Sequence, residues 1–113
     1  MSINSRRKGA AGEREFARKL REYGYTEARR GVQYKGSPDS PDIVGALDGV
    51  HIEVKRVEHL RLYDAMAQSI RDAGEELPIV AHRKNGERWL VTVTFPDFMK
   101  LYEGWKNGFD RQK

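Results

Sequence analysis

Apolar positions recur at helical spacing over residues 9–23. Phe16, Ala17, Leu20 and Tyr23 fall at i, i+1, i+4 and i+7, a stripe that predicts an amphipathic helix. Gly24 supplies its stop, and Arg14, Arg18 and Arg21 fall on the opposite face. Residues 25–32 read as a strand, and 33–41 (Gln-Tyr-Lys-Gly-Ser-Pro-Asp-Ser-Pro) as a loop. Two β-rich runs follow, 43–47 and 50–57, separated by Asp48-Gly49, a hairpin signal. Helical periodicity returns over 60–73, with Tyr63, Met66, Ile70 and Ala73 on one side and Gly74 to end it. Residues 78–83 and 88–94 flank a second hairpin signal, Asn85-Gly86, and Phe95-Pro96-Asp97 opens a short helix to about residue 102. The order α-β-β-β-α-β-β-α predicts an α/β fold, a mixed sheet of about five strands flanked by helices, in one domain spanning 1–113. Residues 1–8 read as a flexible basic arm and 104–113 as a polar tail broken by Trp105 and Phe109.

Composition narrows the function classes. A chain of 113 residues has a real but thin core. Charged residues make up 34 % and mean hydropathy is −0.79. No run approaches the ~18 apolar residues of a membrane span. The first nine residues carry charge but no apolar stretch, so no signal peptide is expected. With no cysteine, disulfides and thiolate zinc sites are excluded, and a cytoplasmic location without membrane contact is expected. Net charge is +4, and it is concentrated. Through Arg30 there are nine Lys/Arg against four Glu, a net +5, leaving −1 for the remainder. That asymmetry suits an anionic partner such as nucleic acid; a soluble protein that is simply basic has the same composition.

The chemistry centres on Ile52-Glu53-Val54-Lys55. Residues two apart on a strand share a face, so Glu53 and Lys55 project together. A symmetric hairpin about Asp48-Gly49 sets Leu47 opposite Val50, Val44 opposite Glu53 and Asp42 opposite Lys55. Asp42 and Glu53 are then diagonal neighbours on one face, ~7–8 Å apart at Cβ, and Ile43, Ile52 and Val54 point into the core. Asp42, Glu53 and the carbonyl of Val54 make an oxygen donor set suited to a hard divalent cation. Lys55 beside them could orient or deprotonate a water, or stabilise charge on a phosphate. The same Glu-x-Lys facing water is a surface ion pair. Glu13 adds a third acid at the margin of the apolar stripe, where a carboxylate is costly unless paired or metal-bound; in the first turn of a later-starting helix it would be an ordinary dipole-favoured acid.

These elements resemble the PD-(D/E)XK nuclease superfamily, and most closely the archaeal-type Holliday junction resolvases. The resemblance is carried over roughly residues 7–95 by Arg7-Lys8-Gly9 leading to Glu13, by a Gly/Ser-rich loop ending in Pro41-Asp42-Ile43-Val44, and by Glu53-Val54-Lys55. It implies a restriction-endonuclease-like core and a homodimeric endonuclease dependent on Mg²⁺, with Mn²⁺ an acceptable substitute. Its substrate would be DNA, branched in the resolvase case. Glu13, Asp42, Glu53 and the Val54 carbonyl would bind metal, and Lys55 would be catalytic. The loop holds a rival acid, Asp39, in a second Pro-Asp; the register argument favours Asp42. Ser37 and Ser40 are both candidates for a loop serine that matters in the family. Gln68 resembles a supporting glutamine found in several branches, and is otherwise a solvated helix position.

The arm Arg6-Arg7-Lys8, with Lys35, Ser37 and Ser40 in the loop, is the candidate DNA contact. Arg14, Arg18 and Arg21 contact phosphates or pair with Glu15 and Glu22. His51 shares the acid face and either packs at the sheet edge or hydrogen-bonds near the site. Three function classes remain open from sequence: a junction resolvase; a related nuclease for flaps, damaged DNA or specific duplex; and a catalytically silent DNA-binding module.

Overall fold

The computed structural model describes residues 3–31 and 41–111, with side chains from Gly9 onward. Its elements are α1 (Ile3–Glu22), β1 (Arg29–Arg30), β2 (Ile43–Val44), β3 (Val50–Arg56), α2 (Leu62–Ala73), β4 (Leu77–Arg83), β5 (Leu90–Thr92) and α3 (Phe95–Arg111). The order is the expected one, and the fold is α/β with five strands. They form two sheets: β1 pairs antiparallel with β2, while β3 pairs parallel with β4 and β4 antiparallel with β5.

The β3–β4 pair is the centre of the molecule, covered on both faces. Ile52, Val54, Ile79 and Ala81 pack against Phe16, Ala17 and Leu20 of α1. Val80 packs on the other side against Ala65 and Met66 of α2. Trp89 closes the first cluster, its ring 4.9 Å from that of Phe16. Gly12 lets α1 approach β3 closely, since a Cβ there would lie 2.5 Å from the Arg56 Cβ. Glu15 ties the same three elements together through Arg83 of β4 and Arg56 of β3. It is not the partner of the helix arginines that spacing suggested. Desolvation pushes the Glu15 carboxyl up, but these two guanidinium groups outweigh it and hold it below its ordinary value.

Both ends of the chain are more helical than expected. α1 is helical from Ile3, so residues 3–8 do not form the flexible arm; Arg6, Arg7 and Lys8 are good helix formers with no proline among them. It ends where expected. Gly24, at φ 101°, is followed by Tyr25 N–H donating to Leu20 O at 3.2 Å, while Gly24 N–H donates to Arg21 O at 3.0 Å, a Schellman cap. Tyr23 lies in that turn and is exposed rather than buried. α3 runs to Arg111 in place of a polar tail from 104, because Tyr102, Trp105 and Phe109 continue its stripe with their rings in successive contact, tilted in the first pair and stacked in the second. In α2 the buried set is Ala65, Met66, Ser69 and Ala73, while Tyr63 and Ile70 face out.

The register derived from a two-residue hairpin needs correction. Asp48-Gly49 does turn the chain, with Val50 N–H donating to Leu47 O at 3.0 Å and Gly49 at φ 84°. Gly45 and Leu47 also take positive φ, 80° and 53°, so residues 45–49 form a wider loop. It absorbs three positions: Asp42 N–H donates to Ile52 O at 2.9 Å instead of lying opposite Lys55.

Candidate active site

Alternation along β3 puts Val50, Ile52 and Val54 toward α1 and leaves His51, Glu53 and Lys55 on the face that α2 covers. Glu53 is only 3 % exposed, and a carboxylate so buried demands partners. His51, fully buried itself, places Nε2 2.9 Å from Glu53 Oε1. Asp42 also lies beside Glu53, near enough for a hydrogen bond between the two carboxyl groups.

Asp42 is placed by its own backbone and side chain together. Its N–H meets Ile52 O, and its Oδ2 accepts from Val54 N–H at 2.8 Å. A side chain thus replaces the next rung of a ladder that β2 is too short to continue. In an extended strand the N–H and C=O of one residue point to the same edge, so the Val54 carbonyl is directed to the edge that Asp42 occupies. Burial, and then the negative charge of Glu53, push the Asp42 carboxyl from 3.8 up to about 7, against the pull of Val54 N–H and Lys55.

The remaining groups arrive from two helices. Glu13 of α1 accepts from Arg30 Nε of β1 at 2.9 Å. Desolvation raises its pKa, the Arg30 hydrogen bond opposes that, and the negative charge of Asp42 adds to the rise. Lys55 Nζ donates to Gln68 Oε1 of α2 at 3.4 Å. The structure therefore brings Glu13, Asp42, Glu53, Val54, Lys55 and Gln68 to one edge of β3. The side chains of Arg6, Arg7 and Lys8, and all of Lys35, Ser37, Asp39 and Ser40, lie outside the described residues.

Two crowded carboxyl groups, one held half-protonated near neutrality, are a place where a cation replaces a shared proton. The donors are hard oxygens, which fits a divalent ion such as Mg²⁺ and not a soft metal. Residues 4–100 match the family model described as archaeal Holliday junction resolvase (hjc).

The chain belongs to that family. No curated protein and no solved structure matches it. The resolvase match takes in every residue of the cluster just described, and the likeness to a PD-(D/E)XK-type resolvase drawn from Pro41-Asp42 and Glu53-Val54-Lys55 is borne out. Two neighbours of the site in this resolvase went unassigned from sequence, and a third, His51, was left open between the sheet edge and a hydrogen bond near the site. Arg30 was counted only toward net charge, yet it binds Glu13. Asp72 arrives from the end of α2, its carboxylate within 4.8 Å of the ligating atoms of His51 and Glu53. His51 is a buried partner of Glu53 and not an edge residue. Only His51 carried a signal in sequence, its position two before Glu53 on the same face.

Proposed function

We propose that this resolvase-family chain is a metal-dependent endodeoxyribonuclease that cuts four-way DNA junctions as a homodimer, with Mg²⁺ as its cation. The adjacency of Asp42 and Glu53 at the β3 edge, with Lys55 beside them, carries the proposal. Asp42, Glu53 and the Val54 carbonyl would hold the cation, with Glu13 completing the acidic rim. Such an ion, when bound, supplies an acidified water and neutralises charge on the phosphate. Val54 N–H fixes one oxygen of Asp42 and leaves the other to bind. Lys55, held toward the site by Gln68, orients the attacking water or stabilises charge developing on the phosphate. Arg30 opposes, without cancelling, the desolvation that raises the Glu13 carboxyl. The location that suits such an enzyme is the cytoplasm, and no described helix is long and apolar enough to cross a membrane.

Labelled four-way junction, flap and linear duplex, each incubated with and without Mg²⁺, test the proposal. Junction cleavage that needs the metal is expected. Cleavage of flap or duplex instead would reassign the substrate, and no metal-dependent cleavage of any of them would sink the enzyme reading.

His51 acts here through Glu53. Its removal should raise the Mg²⁺ concentration for half-maximal cleavage by roughly 10–100-fold, the usual scale for a residue supporting a metal ligand. His51→Gln, which keeps a polar group at the position, should recover part of that loss. DNA binding without metal should be unchanged in both variants; equal metal dependence of His51→Ala and wild type would remove His51 from the site.

A further inference from the structure

His51, Glu53 and Asp72 are, among the described residues, the one group of three acid or imidazole side chains whose ligating atoms all lie within 4.8 Å of one another. Neither Glu13 nor Asp42 belongs to it. Two elements build the group. Alternation sets His51 and Glu53 on one face of β3, and α2 brings Asp72 to them in its last turn. His51 and Glu53 are buried, and the Asp72 side chain is only 12 % exposed. Two enclosed carboxyl groups thus meet without a cation held between them. Among the described residues the His51 ring bonds to Glu53 alone, with Nε2 2.9 Å from Oε1. Asp72 accepts no hydrogen bond from them; its ion pair is with the adjacent Arg71 at 3.7 Å, a guanidinium turned largely to solvent. Lys55, on the same face, donates to Gln68 instead. Asp72 is also the second-last residue of α2. Carbonyl dipoles at a helix C-terminus disfavour an acid and favour a cation. Burial adds to that cost, and a divalent cation offsets both.

The donor set decides which cation. An imidazole nitrogen with two carboxylates suits Zn²⁺, which takes three protein ligands and a water in a tetrahedron. Tetrahedral bonds of the usual zinc length set neighbouring ligand atoms about 3.4 Å apart. That spacing lies between the 2.9 Å separating His51 from Glu53 and the 4.8 Å limit of the whole group, so side-chain adjustments close it. Mg²⁺ demands oxygen donors in an octahedron and keeps several of its waters. The nitrogen therefore separates the two ions: oxygen donors around Asp42 for Mg²⁺, the histidine-bearing group for Zn²⁺.

We propose that His51, Glu53 and Asp72 form a second cation site, selective for Zn²⁺, that shares Glu53 with the Mg²⁺ position and so regulates it. The regulation rests on the functional reading above; the site itself does not. A Zn²⁺ on Glu53 neutralises charge that holds Mg²⁺ at Asp42, and by reciprocity Mg²⁺ weakens Zn²⁺ by the same factor. Zn²⁺ is thus an inhibitor that raises the Mg²⁺ concentration needed for cleavage. Calorimetric titration of metal-free protein with Zn²⁺, beside melting curves, tests the site without any cleavage. Asp42→Asn, which loses the Mg²⁺ position, should still bind one Zn²⁺ and melt higher when it is added. Asp72→Asn and His51→Gln should each weaken that Zn²⁺ by more than about 100-fold, beyond the scale of a residue that only supports a ligand. Glu53→Gln should lose both ions. Melting curves without metal show that each variant folds, and two independent ligand variants guard against the loss of one. Zn²⁺ binding that disappears in Asp42→Asn would put both ions on one site and overturn the proposal. Undiminished Zn²⁺ binding in Asp72→Asn and His51→Gln would overturn it as well. In the junction assay, a Mg²⁺ requirement that Zn²⁺ leaves unmoved would remove the regulation. A protein that cleaves nothing would still give the Zn²⁺ titration, so failure of the nuclease reading and failure of the site are told apart.

Discussion

Asp42→Asn should abolish cleavage and, in the same protein, raise the melting temperature of the metal-free fold near neutral pH. The first effect follows from the donor set. Removing the charge of Asp42 weakens the hold on a divalent cation, and the rate should fall by at least about a thousandfold, the scale lost when charge stabilisation at a transition state is removed. Glu53→Gln should do the same. Junction binding should persist or tighten slightly in both variants, because a negative charge facing phosphate has gone. The second effect follows from linkage. The folded carboxyl of Asp42 is raised from 3.8 to about 7. Its stabilisation is thus complete below about pH 4 and lost as pH climbs through 7. A shift of that size corresponds to a penalty of up to ~4 kcal/mol above neutrality. Asparagine never carries the charge and can still accept from Val54 N–H. In EDTA at about pH 8 the variant should therefore melt several degrees above wild type, with the gap closing in acid. Added Mg²⁺ should raise the wild-type melting temperature and leave that of Asp42→Asn nearly unmoved. A variant that melts below wild type at that pH in EDTA would mean that Lys55 and Val54 N–H already compensate the charge.

The second large effect is expected at Gly45, away from any chemistry. It takes φ 80°, and a Cβ on it would lie 2.1 Å from the Glu27 carbonyl oxygen. That oxygen is backbone and cannot swing aside. Gly45→Ala combines a left-handed penalty of about 1–2 kcal/mol with this clash, and should cost ~3 kcal/mol or more. It strikes the crossing of the β1 and β2 segments, and β2 positions Asp42, so cleavage should fall along with stability. Gly9→Ala is the control. It lies in α1 with nothing within 4 Å of the added methyl, and should stabilise by roughly 0.5–1 kcal/mol. Thermal melts of the two variants give opposite signs if the backbone argument holds; two near-neutral results would refute it.

The β3 half of the site was legible from alternation alone, since Glu53 and Lys55 must share a face and Ile52 and Val54 the other. Asp42 was placed beside them through a hairpin register that does not occur. The wide loop at Gly45–Leu47 shifts the pairing, and the side chain of Asp42 reaches the same edge by bonding Val54 N–H. Nothing in local spacing reveals that loop, because Leu47 at positive φ is a conformation its residue type disfavours. Asp72 and Arg30 were hidden for another reason. Arg30 comes to the site on β1, through packing that spacing does not show, and Asp72 lies one turn beyond Gln68 on α2, a helix that sequence alone did not dock on the face of β3. The extension of α3 was misjudged because its apolar stripe lacks a partner within the domain, so the C-terminal residues read as polar tail.

The parallel pairing of β3 and β4 bears on when the protein becomes active. Val50 of the acid-bearing strand meets Leu77, and Arg56 meets Arg83, so β3 acquires its neighbour only after the whole of α2 has been made. Non-local pairings of this kind form slowly, because loop closure must precede the contacts that reward it. A growing chain therefore carries Glu13, Asp42, Glu53 and Lys55 well before it has a surface on which to assemble them. The acidic edge is thus assembled only once β4 has emerged from synthesis.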